Sequence, residues 1–249
     1  MPNVNKKTIL FGSWIVLLAG LSFAVSRMSS TVAPPDQKPP PPPKLDVAAL
    51  AKRWPEIMQH TAGPARGPAS PAYTMVEFGD FQCPQCGKMR PTIEKTLADS
   101  KGQANLYFVH RPFPQMHQYA LPAAQASEAA AKDGKFWPMY DVLYSHQDDL
   151  EPGYYDDYAK EAGLDGKKVL NAVQQHVYSA QVAADSKFCD DIGIQMTPTV
   201  FIRDNKTGKI SIASGAVDIN KMFAGAPWKS VAGPTSVTAS APAAPPAKS

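Results

Sequence analysis

The chain has 249 residues, 44% of them hydrophobic and 19% charged, which supports a folded domain and excludes a wholly disordered one. A net charge of +3 is too small and too scattered for a nucleic-acid-binding face. Three cysteines, Cys83, Cys86 and Cys189, exclude a small scaffold held together by disulfides.

Lys6 and Lys7 precede an uncharged apolar stretch, residues 8–25, followed by Arg27. This order predicts export, with the lysines left on the cytoplasmic side. Small-x-small sites at Ser22-Phe23-Ala24 and Ala24-Val25-Ser26 suit a cleaved signal peptide, whereas the length of the stretch suits a retained membrane anchor. Residues 1–27 are therefore read as one or the other, with the chain delivered to the cell envelope or periplasm. Residues 28–69 are read as a Pro-rich linker and leader. Pro39–Pro43 lack backbone donors and fix φ, so they favour a stiff polyproline II spacer.

From 70 to 224 the pattern is that of an α/β domain. Tyr73–Phe78 and Asn105–Val109 read as strands, and Met89, Ile93 and Leu97 mark one face of the helix between them, with Pro91 expected to kink it. Strand, helix, strand favours parallel pairing with a right-handed crossover. Residues 115–192 read as a helical insertion: an alanine-rich helix near 120–131, an aromatic stripe of Phe136, Trp137, Tyr140, Leu143 and Tyr144, and one long last helix with Leu170, Val173, Val177, Ala184, Phe188 and Ile192 on its buried face. The aromatic stripe is expected to be core. Thr199–Ile202 and Lys209–Ala213 suit an antiparallel hairpin, and Val217–Phe223 a closing helix. Residues 225–249, rich in Ala, Pro, Ser and Thr, are expected to be a disordered tail. Together these elements predict a thioredoxin-like fold with an inserted helical domain.

The chemistry is concentrated in Cys83-Pro84-Gln85-Cys86, placed where a strand ends and a helix begins. Two cysteines at i and i+3 in a first helical turn can form a reversible disulfide. The first also meets the unpaired N–H groups of the helix start, which favour its thiolate. A structural zinc site would need a second ligand pair, which the sequence lacks; His60, His110, His117, His146 and His176 show no ligand pairing on a helix face. An inert structural disulfide is the other competing reading. Thr197-Pro198-Thr199 stands at a strand entry, where proline is normally excluded, and suggests a cis peptide bond. Cys189 falls beside the apolar stripe of its helix and is expected to be a half-buried flanking thiol.

The segments FGDFQCPQC, HRPFP, GKFWPMYDVLY and GIQMTPTVFI, in that order, resemble the DsbA-like thiol:disulfide oxidoreductases. The resemblance implies that Cys83 is the nucleophile and Cys86 the resolving thiol, that Pro198 is a cis-proline receiving substrate backbone, and that Thr197, Pro84 and Gln85 tune the redox behaviour. Glu77 matches a buried acid that accepts the Cys86 proton; a satisfied or strand-edge glutamate is the plainer alternative. The most oxidising members carry His where Gln85 stands, so a milder oxidant is expected. No cofactor is implied, because the cysteine pair is the redox group. Partners implied are client proteins with thiols or disulfides, and either a quinone-linked membrane reoxidase or a membrane electron donor. A reductase or isomerase of the same fold is the near alternative. A peptide-binding, chaperone-like module using the groove around Pro198 is the alternative from another class.

Overall fold

The computed structural model describes residues 45–229. The expectations for residues 1–27 and 28–44 lie outside them, as does most of the expected tail. Strand β1 (Tyr73–Gly79) pairs in parallel with β2 (Ala104–His110), and the helix α3 (Pro84–Asp99) connects them. Strand β3 (Thr199–Asp204) runs antiparallel on the other side of β1, and β4 (Ile210–Ser214) closes the hairpin, giving the sheet order β2-β1-β3-β4. The central strand β1 is covered on both faces, so its sequence is a nearly continuous apolar run.

Side-chain alternation along β1 sorts its residues between two cores. Met75 joins Leu106, Phe108, Val200 and Ile202 in a large core with α3 and the inserted helices. Val76 and Phe78 join Val109, Phe201 and Phe188 in a second core on the opposite face. Glu77, two residues after Met75, is thereby aimed into the first core and is fully buried there.

The insertion comprises α4 (Ala120–Lys132), α5 (Phe136–Ser145), α6 (Tyr155–Glu161), α7 (Gly166–Gln174) and α8 (Ser179–Asp191). Alanine suits α4, whose Ala123, Ala126 and Ala130 are fully buried and let α5, α7 and α8 pack against it. The aromatic stripe of α5 is buried as expected. The single long last helix is instead two. His176 adopts φ 54, a left-handed conformation that no helix continues through, and Val177 is exposed. The apolar spacing ran across this turn, which hid the break from the pattern. Ala184 is also exposed, whereas Cys189 is fully buried rather than flanking.

Pro91 lies inside α3, which continues through it to Asp99.

The packed part is longer than 70–224 at both ends. Helices α1 (Val47–Lys52) and α2 (Trp54–Gln59) bury Leu50, Trp54 and Ile57 in the second core. Arg66 exchanges backbone hydrogen bonds with Leu106 and so covers part of the β2 edge. After α9 (Gly215–Ala224), Ala226 and Trp228 are buried, and the indole lies 5.5 Å from the Tyr73 ring. The proline-rich context at both ends masked these short apolar contributions.

Ile57 is fully buried against the sheet. Ile57→Ala should therefore lower the unfolding free energy by about 2–5 kcal/mol in denaturant titrations. An unchanged midpoint would mean that α1 and α2 are not part of the cooperative unit.

Candidate active site

Cys83 is the N-cap of α3, with extended backbone (φ −70°, ψ 116°), and Pro84 supplies a first helical residue that needs no donor. Cys86 falls one turn in and is fully buried, while Pro84 and Gln85 are exposed. Both cysteines are free thiols in this structure. The Cys83 thiol is pulled down to about 5, chiefly because the Cys86 S–H donates to its sulfur. The Thr197 side chain and the backbone N–H groups of Cys86 and Gln85 add to this, against the opposing effect of burial. Cys86 moves the other way: burial pushes its thiol well above the ordinary value, and the neighbouring Cys83 sulfur adds to that.

The Thr197-Pro198 peptide bond is cis, and the Thr197 carbonyl lies 3.6 Å from Cys83 Sγ. The Pro198 carbonyl is occupied by the Gly215 N–H at 2.8 Å. Beside this loop opens a groove of about 490 Å³, lined by apolar side chains including Leu45, Val47, Met196, Ile212 and Met222, with Asp218 at its edge.

Beneath the pair lies Glu77. Burial holds its carboxyl up at about 7, opposed by a hydrogen bond that Tyr140 Oη donates to Oε2 at 2.9 Å. Its other oxygen, Oε1, is buried without a hydrogen-bond partner. The ionised carboxylate raises the Cys86 thiol, so the two groups sense each other through the core. Gly79 makes the arrangement fit: a Cβ there would collide with the Phe108 ring and press on Glu77 Oε1.

Three residues whose contacts the sequence reading did not foresee hold the motif and the acid beneath it in place. Asp80 is buried, and its carboxylate accepts from Gln82 N (2.8 Å), Phe113 N (2.9 Å) and His117 Nδ1 (2.7 Å). It thereby fastens the loop before Cys83 to the HRPFP segment. Gln147, just after α5, donates from Nε2 to the carbonyls of Phe81 (2.7 Å) and Cys83 (2.9 Å) and lies across the start of α3, where a Cβ at Gly87 would strike it. Tyr140 is the third. Buried tyrosines usually find a partner for the hydroxyl, so the aromatic stripe did carry a signal of polar reach, though not of its target.

A family model described as Thioredoxin matches residues 60–217. The chain belongs to that family. The fold is shared with solved DsbA-like structures: BdbD from Bacillus subtilis (26% identity, 66% of this chain and 92% of that one, TM-score 0.55) and the thiol-disulfide exchange protein alpha-DsbA2 from Wolbachia pipientis (20% identity, 72% and 92%, TM-score 0.59). The catalytic domain of ScsC from Proteus mirabilis is similar too (22% identity, 70% and 93%, TM-score 0.56). Among curated proteins, a Na(+)/H(+) antiporter NhaA 1 from Salinispora arenicola is 34% identical over 163 residues, 64% of this chain and 24% of the antiporter. A Mycolicibacterium gilvum protein of the same name is 35% identical over 143 residues, 57% of this chain and 23% of that protein. The chain thus spans about a quarter of these relatives' length, and their transport activity belongs to proteins it matches only in part. Among the described residues no helix is long and apolar enough to cross a membrane.

The geometry predicts unequal reactivity of the two thiols. A thiolate fraction rises as pH passes upward through its pKa, so alkylation of Cys83 should climb around pH 5 and level off above about pH 6. Cys86 should stay unmodified in the native protein up to at least pH 8. Iodoacetamide kinetics followed by mass spectrometry check both; equal rates for the two thiols would contradict this site.

Proposed function

We propose that this chain is an exported thiol:disulfide oxidoreductase that introduces disulfides into client proteins. The observation that carries this reading is the pairing of a Cys83 thiol lowered to about 5 with a Cys86 thiol raised far above its ordinary value. A stabilised Cys83 thiolate favours the reduced enzyme, which makes the oxidised enzyme a better electron acceptor. At pH 7 a pKa of about 5 favours the reduced form roughly a hundredfold over an unionised thiol, or about 60 mV in the potential.

The steps follow from the site. A client thiolate attacks Cys83 Sγ of the Cys83–Cys86 disulfide; a client–Cys83 bond forms, and Cys86 leaves as a thiolate that takes a proton from the Glu77 carboxyl. A second client thiolate attacks the client sulfur of the mixed disulfide, and Cys83 departs as its stabilised thiolate. The client dithiol has lost two electrons to the cysteine pair. The groove beside Thr197-Pro198 suits an extended client segment, with the cis-proline loop holding its backbone against Cys83.

Return to the disulfide form requires an oxidant, for which a quinone-linked membrane protein is the partner proposed. The charge pattern of Lys6, Lys7 and residues 8–25 supports delivery outside the cytoplasm, with the segment either cleaved or kept as an anchor.

Two variants test the reaction. Cys86→Ser should form a mixed disulfide when its Cys83 thiolate attacks the disulfide form of a dithiol client peptide and releases the peptide's other sulfur as a thiolate, and should hold it for want of the Cys86 thiol, visible by non-reducing mass spectrometry. Cys83→Ser should lose oxidation of the same peptide by at least a hundredfold. Retained peptide-dependent activity in Cys83→Ser would instead favour a binding module.

A further inference from the structure

Glu77 is held by one side chain of the inserted helices, and that contact comes from Tyr140 on α5. The phenol cannot swing away. Its ring is fully buried and packed against Trp137 (5.1 Å), Phe108 (5.5 Å), Phe81 (5.9 Å) and Tyr144 (4.8 Å between centroids), with the Arg66 guanidinium 5.6 Å from the ring. Arg66 is itself fixed by Asp141, the residue after Tyr140, at 2.6 Å. With Oε2 taken by Tyr140, Oε1 is the oxygen left for a proton.

We infer that Tyr140 is a positioning residue for the redox reaction: its hydroxyl fixes the Glu77 carboxylate and keeps it available to exchange a proton with Cys86. The inference rests on the oxidoreductase reading above, in which Glu77 serves Cys86. Burial pushes the Tyr140 phenol far above its ordinary value, so it remains a neutral donor throughout the working range. A donor to Oε2 favours the ionised carboxylate, and removing it leaves burial unopposed at that oxygen.

The charged and titratable groups around the carboxyl come from several elements. From α3 there are Cys86, Arg90 and Glu94; from α5, Tyr140 and Tyr144; from the segment before β1, Arg66; and from the loop after β1, Asp80. Arg66 and Arg90 favour the carboxylate and Glu94 opposes it. Tyr140→Phe leaves all of the others in place.

The step that reads this out is resolution of a mixed disulfide. When reduced enzyme meets oxidised glutathione, the Cys83 thiolate forms a Cys83–glutathione disulfide and releases one glutathione thiolate. The Cys86 thiol then gives its proton to the Glu77 carboxylate and attacks Cys83 Sγ. The Cys83–Cys86 bond forms, the second glutathione leaves as its thiolate, and two electrons have passed from the enzyme to glutathione. This second step should speed up as pH rises through the Glu77 value of about 7.

Rapid-quench measurement of both steps from pH 5 to 9 in the full-length protein, Tyr140→Phe and Glu77→Gln is the test. Loss of a hydrogen bond to a charged group is worth about one pH unit or more. Tyr140→Phe should therefore resolve the mixed disulfide about tenfold more slowly at pH 6, converge on the parent rate by pH 9, and leave the first step unchanged. If that variant does not fold, 3-fluorotyrosine at position 140, a nearly isosteric and stronger donor, should move the midpoint to lower pH. A parent midpoint in the Tyr140 variants, with Glu77→Gln losing the pH dependence, overturns the role of Tyr140 but leaves Glu77 as acceptor. A parent profile in Glu77→Gln overturns the Glu77 role itself and the inference with it. Equal slowing at every pH would show that Tyr140 only packs.

Discussion

The interaction between the buried Cys86 thiol and the Cys83 sulfur, which lowers one thiol and raises the other, is the one on which the rest of the site depends. It works because the two thiols occupy different surroundings within one helical turn. Cys83 stands at the helix start, near the backbone N–H groups of Cys86 and Gln85, where a negative sulfur is solvated by the backbone. Cys86 is enclosed by core and cannot readily lose its proton, so it serves as the donor. Burial, which ordinarily raises a thiol, is thus used on one sulfur to lower the other.

That asymmetry requires a core exact enough to bury Cys86, and much of the chain contributes to it. Asp80 fixes the loop ahead of the motif, Gln147 fixes the carbonyl of Cys83, and the Thr197 side chain helps to lower the Cys83 thiol. The inserted helices therefore do more than shield the sheet. Gln147 reaches the backbone of the motif and Tyr140 reaches the buried acid beneath it, so the insertion touches both the Cys83 carbonyl and the Glu77 carboxylate. A buried carboxyl with one oxygen unpaired is costly, and its retention fits a group that must hold and release a proton.

The parts of this arrangement visible in the sequence are those written locally. Cys83-Pro84-Gln85-Cys86 is confined to one helical turn, Thr197-Pro198 to one strand entry, and the alternation along β1 already aims Glu77 at the face of Met75. The α5 stripe was legible as core from its spacing. What stayed hidden depends on tertiary partners: no local pattern pairs Tyr140 with a strand residue distant in sequence, or Gln147 with the Cys83 carbonyl. The break at His176 was hidden because Val173 and Val177 continue a helical spacing through a residue whose backbone turns left-handed. Helices α1 and α2 were hidden by their proline-rich surroundings, though Leu50, Trp54 and Ile57 already lay at helical spacing.

The central claim is that the protein's fold makes its cysteine pair an electron acceptor, and the equilibrium potential of Cys83–Cys86 in a glutathione redox buffer tests it most directly. The account predicts a value above about −200 mV at pH 7, in the range of dithiol oxidases and isomerases. A value near −270 mV, like that of a reducing thioredoxin, would contradict it.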